Sequence, residues 1–569
     1  MNRKLYAISL AAVFLAISFL TSCSSSSSTT PPPPPPASTT PFAFYLSGQE
    51  EINEGPNYYA LAGAVTIDAS GNVTAGEQDY NDGFGITSPE PSGDSITGGT
   101  LTVDATGQGT LTLITNNTAV GASGTETLGV QFVNADHALI TQFDGSATSS
   151  GSMDLQTTLS STPSGAFAFT ISGVDASYNP IAVGGVFTLP SATTDEVDAN
   201  DNGDTSTQGV LLTVSLGAPD AFGRGVLTSS LEYGSTGILF NYYVVGPEVI
   251  RIIDVDPSTT EAGTDSAVGS AFGQGTNATA GANASLGASI FGVSGDPFGF
   301  NYATAGEFVT NATNGSFSGV GEDAELGTFI SGAASVIGGP YSIAANGYGS
   351  LTINGFGADS DVSAMQVYAT DPTLDLMDPN NANGNLDLGG ALLLDFDAVL
   401  AGGTGVVVSQ TDTTATDFNG TYTAGWQDFN NLEAGCAACE FDMIANGTMT
   451  SGGALSLTEG EVSDPFETLN AGATTITGAT FTGQPTPDAT NPGRLTLLNT
   501  DAAPGGALID SIGTSSTTFF DAIIYQASAS QLFWLEFDLD SVFLGSLEEQ
   551  GSLTGVPAVK RPAKVQAKR

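Results

Sequence analysis

The sequence predicts an all-β protein of four tandem antiparallel β-domains, each of about eight strands, with an up-and-down barrel favoured over a two-sheet sandwich. Three observations carry this. Gly, Thr, Val, Asn and Phe recur while helix-favouring Lys, Arg, Glu and Gln are scarce. Short apolar or alternating runs are divided by turn signals such as Ala69-Ser-Gly-Asn72 and Asn81-Asp-Gly83. An ordered set of markers also returns four times, at intervals too long for solenoid repeats.

Residues 1–22 read as a signal peptide. Arg3 and Lys4 precede an apolar run from Leu5 to Leu20, broken only by Ser9 and Ser18 and too short to span a bilayer comfortably. Leu20-Thr-Ser-Cys23 resembles the bacterial lipobox, which implies cleavage before Cys23 and a lipid on its thiol. Residues 23–40 then form a tether. Its Ser/Thr run cannot bury enough surface to fold, and Pro31 to Pro36 favour extended polyproline II.

Residues 41–160 make the first β-repeat. Strands are predicted at Phe42–Ser47, Tyr58–Asp68, Asn72–Tyr80, Ser95–Asp104, Gly109–Thr115, Glu126–Asn134, Ala138–Asp144 and Gly151–Thr157. Repeats follow at 161–278, 279–412 and 413–550. The opening Phe42-Ala-Phe-Tyr-Leu-Ser-Gly48 returns as Phe167-Ala-Phe-Thr-Ile-Ser-Gly173, and more loosely from Ser289 and Phe418. Gly107-Gln-Gly109 returns as Gly223-Arg-Gly225 and Gly347-Tyr-Gly349, and is shortened to Gly493-Arg494 in the fourth copy. Each repeat closes on a Gln: Gln156, Gln274, Gln410 and Gln550. The sequence reads as a string of separate β-modules ending in a basic disordered tail, 551–569.

Charge excludes one class of partner. Between Cys23 and Gln550 only Arg224, Arg251 and Arg494 stand against all 59 acids, so the body repels nucleic acid. Solubility at a cell surface, divalent-cation binding and an acidic habitat are the alternative readings. Cys436 and Cys439 are expected to form a local disulfide, the default for an exported Cys pair with no further Cys or His nearby.

Catalytic signals are thin. His137 is the chain's single histidine, reads as a turn or strand-edge residue, and lacks a Gly-x-Ser-x-Gly elbow. Acid pairs such as Glu50/Glu51, Asp195/Glu196 and Glu322/Asp323 have no distinguishing neighbours, so an enzyme is not expected. Asp198, Asn200, Asn202 and Asp204 match the first half of an EF-hand loop. Gly209 stands where the bidentate Glu belongs, and Asp79-Tyr-Asn81 sits comparably in the first repeat. A weak Ca²⁺ site and a recurring Asx-rich turn are the two readings, and no other cofactor is expected.

The lipobox, tether, Phe-Ala-Phe openings and Gly-x-Gly turns are similar to those of exported bacterial repeat lipoproteins rich in Gly, Ser and Thr. Ser24 after the Cys resembles the outer-membrane sorting pattern of Gram-negative lipoproteins. The resemblance implies a lipid-anchored outer-membrane protein facing periplasm or cell surface; it implies no activity. The expected role is structural, adhesive or binding contact with envelope polymers or other surface components. Small-ligand or carbohydrate-binding barrels are the first alternative, and a carboxylate-based hydrolase the second.

Overall fold

The computed structural model describes residues 39–557, apart from loop segments of which 84–92, 256–264, 276–285, 431–438, 466–474 and 504–519 are the longest. All its regular elements are β-strands. In the first unit β1 (Thr39–Ile52), β2 (Gly55–Asp68), β3 (Val73–Asn81), β4 (Asp94–Val103), β5 (Gln108–Thr115), β6 (Thr125–Phe132), β7 (His137–Gln142) and β8 (Ala147–Leu155) form a closed barrel in chain order. β8 returns to pair with β1, from Phe42 opposite Leu155 to Glu50 opposite Ala147. Local chemistry sets the turns. The Asp68 carboxylate accepts from the backbone N–H of Ser70 and Asn72, and Asp104 accepts likewise from Thr106.

The other three units repeat this wiring. The second is a nine-stranded sheet with Gly165–Val174 beside Ser266–Gly273 and its ends at Val210–Leu211 and Val214–Leu216. In the third, pairing of Tyr302–Asn311 with Ser316–Glu325 completes a circuit of strands. In the fourth, pairing of Thr475–Gly483 with Arg494–Ala503 does the same. Inward-facing side chains fill each unit: Phe42, Phe44 and Phe132 in the first, Phe167 and Tyr242 in the second, Phe291 and Phe308 in the third, Trp426 and Trp534 in the fourth. The voids inside the second and third units are ≈ 10 Å³ each, about one water. Among the described residues, the interiors of the second and third units leave no room for a ligand.

The outer faces of the same strands are buried too. Ala43, Ala60, Ala62 and Ala64 of β1 and β2 join Ala182, Tyr243, Ala305, Leu392, Tyr525 and Phe533 in a further apolar core shared by all four units. The described chain from residue 39 to 557 is accordingly one compact unit, in which the expected modules pack against one another instead of following each other as a string. The units meet cyclically. β2 packs on Ser266–Gly273, Gly165–Val174 on Gly390–Asp395, Tyr302–Asn311 on Ser541–Glu549, and Cys439–Met449 back on β8. Small side chains on the outer strand faces allow this approach, and burying them contributes about 25 cal/mol per Å².

Candidate binding site

The sequence markers meet in space. Each closing glutamine reaches into the Gly-x-Gly turn of the next unit, or into its shortened Gly493-Arg494 form in the fourth. The Gln156 side-chain amide donates to Phe222 O and Val244 O at 2.9 and 2.7 Å, and that of Gln274 to Asn346 O and Ala369 O at 3.1 and 2.8 Å. Gln410 donates to Gln526 O at 3.0 Å and to Glu307 at 2.9 Å. Gln550 closes the circle on the first unit, donating to Thr106 O and Phe132 O at 2.6 and 2.8 Å. The receiving glycines Gly107, Gly223 and Gly347 have φ of 89, 81 and 81°. A Cβ at Gly107 or Gly223 would stand 2.8 Å from the incoming amide nitrogen, so glycine is required for both reasons.

A second set of equivalent positions supports these latches. Asp79, Asp198, Glu322 and Glu461 lie opposite Ala62, Gly184, Ala305 and Ile444 in the same register of their units. Each faces the next unit's turn. Asp79 holds Arg224 bidentately, both N–H···O bonds at 2.8 Å, and accepts from Tyr243 Oη at 2.7 Å. Asp198 accepts from Tyr348 Oη and Tyr368 Oη at 3.0 and 2.9 Å. Glu322 takes Arg494 Nε at 2.8 Å and the Tyr525 hydroxyl. Glu461, facing Gln108, has no arginine, and burial raises its pKa to about 8. Arg224 and Arg494, two of the body's three cations, thus serve unit junctions.

The candidate calcium ligands belong to this junction. Asp198 and Asn200 lie in the strand Glu196–Asp201, and Asn200 Nδ2 donates to Asp395 O at 3.0 Å in the third unit. Asn81 does the same in the first, donating to Asp254 O at 3.0 Å. The expected turn therefore begins only at Asn202, whose φ is 48°. Asp204 lies outside the described residues, as do Cys23, Cys436 and residues 558–569 of the basic tail, whereas residues 551–557 lie against the first unit, with Val556 buried in its core. Cys439 is disulfide-bonded. Among the described residues no group of three His, Cys, Asp or Glu is placed to hold a metal.

On the axis of the ring lies a cavity of ≈ 350 Å³ lined from all four units. Strand register orders its wall into levels. Ser47, Ser172, Ser294 and Gln427 occupy equivalent places and form one polar level. Below them, Leu139, Arg251, Leu392 and Phe533 are equivalent, beside Tyr45 and Thr170, with glycine at 292 and 425. Deeper still the third unit breaks the symmetry. Other units join their equivalent strands by short hairpins, whereas here Ala364–Ala369 and Gly390–Asp395 are separated by an insertion. Its Leu376 and Met377 line the cavity, Asn380 Nδ2 donates to Leu155 O at 2.8 Å, and Asn134 bonds Asp378. The insertion floors the cavity.

His137 lies on that floor, buried, not at a free strand edge. Its Nδ1 bonds Asp154 Oδ1 at 2.8 Å, and its Nε2 stands 3.6 Å from Glu548 Oε2. Burial opposes the imidazolium, but the Asp154 hydrogen bond and the Glu548 and Asp154 charges outweigh it, so the pKa rises to about 10. Burial likewise opposes ionised Asp154, yet Arg251 and His137 hold its pKa at about 2. Burial raises Glu548 to about 7 despite His137. Arg251 bonds Asp154, Ser152 and Ser270, and its Cζ stands 4.4 Å over the Tyr45 ring. The imidazole fills the space between Asp154 and Glu548, where two hydrolytic carboxylates would need a substrate. Nothing in the local sequence around His137 signals this convergence from four units.

No protein-family model and no curated protein matches the chain. Nine chains among solved structures match. One is intact Ap-TbpB (N and C lobes), 12% identical over 73% of this chain and 84% of that one, with a TM-score of 0.18. Another is a double mutant of transferrin binding protein B from Haemophilus parasuis Hp5, 12% identical over 90% and 95%, with a TM-score of 0.19. Likenesses this slight say nothing about what this chain binds.

Proposed function

We propose that the protein is a non-enzymatic binding protein of the outer envelope, moored to the membrane through acylated Cys23 and facing the periplasm or cell surface. The observation that carries the binding role is the floored cavity at the ring centre, within the ~300–1,000 Å³ of ordinary ligand pockets. The lipobox and tether support the mooring. The latched ring supports a rigid body whose wall residues are held in place by neighbouring units. Contact with envelope polymers or other surface components then falls to this body as a whole.

Three measurements test the proposal. Mass spectrometry of the mature N-terminus should find diacylglyceryl-modified Cys23, and Cys23→Ser should move the protein from the membrane to the soluble fraction. An unmodified Cys23 thiol removes the mooring. Native mass spectrometry of gently purified protein should retain a small molecule that denaturation releases unaltered. Release of a chemically converted product would make the protein an enzyme.

A further inference from the structure

The cavity's lining defines a class of ligand. Its charges are already matched internally, Arg251 against Asp154 and His137 against Asp154 and Glu548, so the pocket requires no charge from its occupant. The strongly acidic body also disfavours anions. The half-buried hydroxyls of Ser47, Thr170 and Ser294 face the cavity, each able both to donate and to accept. Arg251 is buried, and its guanidinium is taken up by Asp154, Ser152 and Ser270 within the wall. Phe533 and Tyr45 add aromatic surface against which C–H groups can pack.

We infer that the cavity binds a neutral, hydroxyl-rich ligand of one or two sugar rings. This rests on the proposed binding role of the same cavity. A sugar presents hydroxyls around its edge and C–H groups on its faces. The wall supplies the complement, with hydroxyls at the mouth and Phe533, Leu139 and Leu392 beneath. The floor formed by Leu376 and Met377 limits length, so the occupant is a short saccharide or a chain end.

Calorimetric titration of the whole mature chain with D-glucose, N-acetylglucosamine, cellobiose and chitobiose tests the inference. Sodium acetate, choline and anilinonaphthalene sulfonate serve as anionic, cationic and apolar probes. Saturable binding of at least one sugar is expected, weakened at least tenfold by Ser294→Trp at the mouth with an unchanged melting temperature. Ser47→Trp, from a different unit, gives the same reading if the first variant does not fold. Saturation only by acetate, choline or the dye, lost in these variants, overturns the sugar class and leaves the cavity a binding site. No saturation by any probe, or sugar binding that both variants leave intact, overturns the sugar class and the cavity reading together.

Discussion

At residue scale the structure makes heavy use of a few side chains. His137 is the clearest. With its pKa held near 10, the imidazolium persists through neutral pH. Because the chain holds one histidine, its ring proton is a single identifiable NMR signal, which should not titrate between pH 5 and 8. Titration near the ordinary 6.5 would contradict the Asp154–His137–Glu548 arrangement. The latch glutamines make a second test. Gln550→Ala removes its amide's hydrogen bonds to Thr106 O and Phe132 O, which still accept from Gln131, and costs about 0.5–1.5 kcal/mol in denaturant unfolding. Asp79 and Arg224 make a third. Arg224→Met alone leaves Asp79 buried without its cation and costs about 3–5 kcal/mol, whereas Asp79→Leu with Arg224→Met restores much of that loss. The sequence showed the latch glutamines and their turn glycines as recurring marks but not their meeting. Hydrogen bonds between residues dozens or hundreds of positions apart leave no local pattern. Asp198 and Asn200 were ambiguous for a different reason. Oxygens at alternate positions suit a cation loop and one face of a strand equally, and a period of two does not separate them.

At the scale of elements, strands were legible and their outer faces were not. In the first unit the predicted strands match β1 to β8 in number and order, because alternation and Asx turns are local. The run Tyr58-Tyr-Ala-Leu-Ala-Gly-Ala-Val65 is apolar on both faces, and the structure buries both sides of β2. The insertion after Ala369 carries its own prediction. Replacing residues 371–389 by a two-residue turn should leave a folded ring open at both ends of the cavity. Acrylamide quenching of a tryptophan placed on the cavity wall by Leu139→Trp should then increase while the far-ultraviolet spectrum stays that of β-sheet. Unchanged quenching would mean that Leu376 and Met377 do not seal the floor.

For the whole molecule, buried acids set the pH dependence. Burial raises Glu77, Glu126 and Glu461 to about 8 and Glu548 to about 7. Their folded pKa values exceed the unfolded ones. Their contribution is therefore complete below about pH 4.5 and is lost as pH rises through 7 to 8. His137 acts in the same direction, between its ordinary 6.5 and about 10. Asp154 acts oppositely, its contribution lost as pH falls from 3.8 toward 2. The melting temperature should thus peak near pH 4–5 and fall steadily to pH 9. A maximum at pH 8 would contradict the protonated state of these acids. Scarcity of cations, legible from composition, finds a partial physical account here, since the body neutralises several acids with protons and reserves each arginine for a junction between units.

The order of the latches has a consequence for how many copies the fold tolerates. Every unit both offers an amide arm and receives one, and the arm of the last lands on the first. Such a circle has a fixed membership. A polypeptide shortened by its final module would bear an orphaned arm at one end and a vacant turn at the other. Neighbouring molecules could satisfy both only by joining nose to tail, so gene products with three or five modules should polymerise instead of circulating as monomers.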